Sequence, residues 1–74
     1  MNKLKHFGPV ADRLRVAKAI RGHNAAEAAV EIGVSESSVH NWCRGGIQPG
    51  RDTIGAVEAY IDRAYSGDWR RAGA

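Results

Sequence analysis

Within residues 33–46, GVSESSVHNWCRGG, five of the side chains able to hydrogen-bond stand between and around two bulky apolar ones. The five are Glu36, Ser37, His40, Asn41 and Arg44; the apolar pair, three positions apart, is Val39 and Trp42. On a helix this spacing sends Val39 and Trp42 to one face and the polar set to the other. The chemistry open to such a polar face is recognition rather than bond making. Asn pairs bidentately with adenine, Glu accepts from the cytosine amino group, and His can donate to guanine. A merely solvated helix face uses the same residue types, so the surrounding elements must decide between the two.

Other chemistries find less support. His40 and Cys43 are three apart and make half of a metal site, but no second pair stands at usable spacing, so neither a metal nor another cofactor is expected. Cys43 as a nucleophile lacks an evident base and orienting group, and so small a chain leaves little room for a substrate pocket. No enzyme activity and no small-molecule substrate are therefore expected. As the single cysteine, Cys43 makes no internal disulfide, and no apolar run reaches the length of a signal core or a membrane span. The expected setting is a reducing cytoplasm, bacterial or phage-infected, without a membrane partner.

At 74 residues the chain is one small domain, near the lower limit for a core that folds alone. With 43% hydrophobic and 26% charged residues, and alanine outnumbering the β-branched types, the sequence reads as all-α. Residues 1–8, with Leu4 and Phe7, form an arm. Pro9 suits the first position of a helix carrying Val10, Leu14, Ala17 and Ile20 on one stripe and stopping at Gly22. Asn24 and Glu27 have the form of a capping box, opening a helix of about nine residues whose apolar side is Ala28, Ala29 and Ile32 before Gly33. Only Val34 separates Gly33 from Ser35, which can cap a third helix over residues 36–44, stopped at Gly45. Two short helices so joined must cross steeply. After the turn GGIQPG, where Ile47 is expected to plug the core, a fourth helix over residues 51–65 is marked by Ile54, Val57, Ile61 and Ala64. Its outer face is expected to carry Tyr60 and Tyr65. The chain thus divides into an arm (1–8), a helical domain (9–66) and a tail (67–74) holding Trp69, Arg70 and Arg71.

The formal charge is +3 and the isoelectric point about 9.5, compatible with a polyanionic partner. Residues 1–23 carry Lys3, Lys5, Arg13, Arg15, Lys18 and Arg21 against only Asp12. Lys18 with Arg15 or Arg21 can share an edge beside the buried stripe of the first helix, and some of these three are expected to meet phosphate.

Taken in order, Ala29, Gly33, Val34, Ser35, Val39, Trp42, Arg44, Gly45, Pro49, Thr53 and Ile54 resemble the helix-turn-helix family of lambdoid phage repressors and Cro proteins. The resemblance covers residues 10–65. It implies a compact bundle of four or five helices that binds operator-type double-stranded DNA, usually as a dimer, with the third helix reading bases in the major groove. The family pattern points to Glu36, Ser37, His40 and Asn41 as base readers, with Ser35 and Arg44 near phosphate at the two ends. The chain departs from that pattern at Ala25, where the family commonly has Gln, at Ala28 for Leu, at His23 for an apolar residue, and at Cys43 for Glu. The resemblance implies a Cro- or repressor-like transcriptional regulator, acting as a weak homodimer or as a dimer formed on DNA through helix four, the tail or the DNA itself. Two alternatives remain beside it: an excisionase-like architectural factor, and a protein-interaction module of the same fold. Acidic Glu27 and Glu31, the missing Gln at Ala25 and Trp69 speak for the module.

Overall fold

The computed structural model describes residues 9–67, which form four helices and no strand. They are α1 (Val10–Arg21), α2 (Ala25–Ile32), α3 (Glu36–Arg44) and α4 (Arg51–Ser66). The chain is all-α, at the lower of the two expected helix counts among the described residues. The arm over 1–8 and the tail residues Trp69, Arg70 and Arg71 lie outside the described residues. No helix among those described is long and apolar enough to cross a membrane.

Local chemistry accounts for the helix ends. Pro9 stands one position earlier than expected, at the N-cap of α1, because its ψ of 151° is extended rather than helical. At α2 the capping box is complete: Asn24 Oδ1 accepts from the Glu27 N–H at 2.8 Å, and Glu27 Oε1 accepts from the Asn24 N–H at 2.9 Å. α2 ends after eight residues at Gly33, whose φ of 91° is left-handed, and the N–H groups of Gly33 and Val34 both bond back to the Ala29 carbonyl. That reversal leaves only Val34 before Ser35, whose Oγ accepts from the Ser38 N–H at 3.2 Å and starts α3.

The core collects Leu14 and Ala17 from α1, Ala28 and Ala29 from α2, Val39 and Trp42 from α3, and Val57, Tyr60, Ile61 and Ala64 from α4. α1 packs on α3 and α4, and α2 packs on the same two helices. Alanines line the buried side of α2, so its backbone can lie close to its neighbours without displacing the larger side chains they bring. Ile20, Val34 and Ile54 close the edges of this core, half-buried.

Two expectations are corrected. Ile47 does not plug the core: it is 57% exposed, because the helices fill the interior themselves and the α3–α4 loop runs over the surface. Tyr60 is not on the outer face of α4. It is fully buried, three residues on from Val57 and beside Ile61, and its hydroxyl is satisfied by His23 Nδ1 at 2.7 Å. Burial pushes the phenol up to about 12. Tyr65 is half-buried against the core, so α4 does not present the tyrosine pair expected to mediate dimer contacts.

Ion pairs tie α1 to α4, and both of these helices to α2. Arg13 holds Glu58 with two hydrogen bonds of 2.7 and 2.9 Å. Glu31 receives two from Arg21, both 2.7 Å, and two more from Arg63 at 3.1 and 2.9 Å. The Arg21 hydrogen bonds, with help from Arg63, hold the Glu31 carboxyl down to about 2. The Arg21 guanidinium also sits 5.6 Å from the centre of the Tyr60 ring, on which His23 stacks. The described residues carry seven Lys or Arg and seven Asp or Glu, so the surplus of +3 belongs to Lys3, Lys5, Asp68, Arg70 and Arg71.

Candidate nucleic-acid interface

α3 is held by one face and open on the other. Val39 is fully buried and Trp42 is 6% exposed, and together they fix the rotation of the helix about its axis. That rotation turns Ser37, His40, Asn41 and Arg44 outward at i, i+3, i+4 and i+7, where they line an open concavity of about 400 Å³. Glu36 stands one turn before His40 on the same side, with its Oε2 3.3 Å from His40 Nε2. All four residues expected to read bases therefore share one face. The i, i+4 pairing of Glu36 with His40 was available from spacing alone.

The residues expected near phosphate separate into three settings. Ser35 spends its hydroxyl on capping, bonding Ser38 through both the backbone N–H and the side-chain oxygen. Arg15 reaches from α1 to the last turn of α3, donating to the Cys43 carbonyl and pairing with Asp12. Lys18 lies beside it, Nζ 3.7 Å from Cys43 Sγ. Because helix C-terminal carbonyls lack partners within the helix and carry partial negative charge, a guanidinium there is stabilising and pins α1 to the end of α3. Arg15, Lys18 and Arg44 thus gather at the C-terminal end of the polar face. Arg21 goes elsewhere, to Glu31 and Tyr60 in the ion-paired cluster.

Sequence reasoning missed the two residues that fix Arg21 and Arg13, namely Glu31 and Glu58, since both pairs bridge separate helices. Among the described residues no three His, Cys, Asp or Glu side chains come together as a metal site would need. Comparison with known protein families, with curated proteins and with solved structures returns no match for this chain.

Proposed function

We propose that the chain is a sequence-specific double-stranded DNA-binding protein of the Cro or repressor type, with α2 and α3 as its helix-turn-helix. The observation that carries this reading is the α3 face: Ser37, His40, Asn41 and Arg44 point outward together on a helix anchored by Val39 and Trp42. Side chains included, an α-helix is about 10 to 12 Å across, and the major groove of B-DNA is about 12 Å wide. Arg15, Lys18 and Arg44 flank the C-terminal end of that face, where the groove wall would bring phosphates. Regulation would follow from occupying an operator and excluding polymerase, with two copies reading successive half-sites about 34 Å apart.

Two features that favoured a protein-interaction module lose weight. Glu31 is neutralised by Arg21 and Arg63, and Glu27 is engaged in the capping box, so α2 offers no free acidic stripe from these two. The deciding experiment is a salt titration of binding to random duplex DNA. The wild type should lose affinity linearly in log salt, and Lys18→Ala or Arg44→Ala should flatten the slope by about one unit. No duplex binding at low salt would sink the proposal.

A further inference from the structure

The outward face of α3 changes character along its length. Glu36 and His40 are 57% and 60% exposed, and their contact joins Oε2 of the carboxylate to Nε2 of the ring. An ionised carboxylate only accepts, so the contact is a hydrogen bond only when Nε2 carries a proton; in the neutral imidazole Nδ1 is then left as an acceptor. Glu36 Oε1 adds acceptor capacity of its own. Toward the other end, Arg44 offers only donors, while Asn41 offers a donor and an acceptor side by side. The first turns of the helix and its last turn therefore ask for opposite edges in a ligand.

Resting on the DNA-binding reading, we infer that Glu36 and His40 act as one acceptor pair that selects cytosine amino groups, Glu36 setting which ring nitrogen of His40 faces the bases. Cytosine shows an amino donor in the major groove without the neighbouring N7 acceptor that adenine presents. Guanine and thymine show acceptors, N7 and O6 or O4, which the carboxylate repels, so the pair selects by exclusion as much as by attraction. Asn41 and Arg44 are left to purine edges further along the groove. From Glu36 to Arg44 the helix rises roughly 12 Å, about the height of three or four stacked base pairs, so both ends fit within one half-site. Glu36 thus accepts directly through Oε1 and also orients His40, and the residue type of His40 alone would have suggested the opposite preference, donation to guanine.

The test pairs selection of bound duplexes from a random pool with nitrogen NMR of the His40 ring, using the whole chain as wild type and as Glu36→Gln. Glu36 is exposed, so the variant should keep its fold, which circular dichroism checks. The wild type should show Nε2 protonated with Nδ1 bare, and a half-site in which cytosine is preferred about tenfold or more at one position. In Glu36→Gln the two tautomers should even out and the preference should move toward adenine, which an amide pairs bidentately. Affinity for random duplex should rise, since a negative charge has gone. A wild-type ring protonated on Nδ1, selected sites without that cytosine, or a preference retained in full by the variant overturns the inference and leaves the DNA-binding reading standing. Absence of any duplex binding by the wild type overturns that reading, and this inference with it.

Discussion

Two faces of this small bundle carry similar residue types and treat them in opposite ways. Between the helices, Arg13 closes on Glu58, and Arg21 and Arg63 close on Glu31, in paired hydrogen bonds of 2.7 to 3.1 Å. On α3, Ser37, Asn41 and Arg44 line an open concavity with His40. The two histidines make the contrast sharpest. His23 stacks on the buried Tyr60 and bonds its hydroxyl, becoming part of the scaffold, whereas His40 stands in solvent and touches Glu36. Charge and polarity by themselves therefore say little about which surface meets a partner; what matters is whether the fold has already used the group.

Trp42 is the hinge of that comparison, since it keeps the two faces apart. Trp42→Ala should cost about 3 to 5 kcal/mol, comparable to the whole stability of so small a domain, and a thermal melt should find the variant largely unfolded. A folded variant that has only lost DNA binding would put the indole on the recognition face and blur the distinction. Next in size is Glu31→Gln, which leaves the 11%-exposed Arg21 without its carboxylate and should cost about 3 kcal/mol in denaturant unfolding. The acid dependence follows from the same group. Its carboxyl titrates near 2 when folded against the ordinary 4.5, so the unfolded chain binds more protons between those values. The stabilisation is complete above about pH 4.5 and drains away as pH falls toward 2, and Glu31→Gln should flatten that limb of the stability profile. The smallest stability change should come from the other face. Asn41→Ala should alter unfolding by no more than about 0.5 kcal/mol while costing about 1 to 3 kcal/mol on a selected site and almost nothing on random DNA. Equal losses on both duplexes would remove Asn41 from the readers.

Those expectations rest partly on features that the sequence discloses and partly on features it hides. The ends of α2 and α3 were legible because they are local: Asn24 with Glu27, Gly33 and Ser35 determine their own neighbourhood within three or four residues. The placing of Glu36, Ser37, His40 and Asn41 on one face was legible for the same reason, through Val39 and Trp42. Tyr60 was not. A tyrosine flanking an apolar stripe can turn either way, and the partner that satisfies its hydroxyl inside, His23 in the turn before α2, lies 37 residues away. Ile47 failed in the reverse sense, since an apolar residue in a loop carries no periodicity to orient it. The pairing of Arg13 with Glu58 spans 45 residues and that of Arg63 with Glu31 spans 32, separations over which spacing rules are silent.

The even balance of charge in the helical body reaches beyond equilibrium. With seven cations against seven anions between residues 9 and 67, the body carries no net charge to act on a polyanion approaching at low salt, within about a Debye length. What such a partner feels from afar is Lys3, Lys5, Arg70 and Arg71, softened by Asp68. On the DNA-binding reading, the speed of capture and the dwell time of the complex then belong to different parts of the chain. The ends govern a salt-sensitive association rate, and α3 governs a sequence-sensitive dissociation rate. Each can drift in evolution without retuning the other.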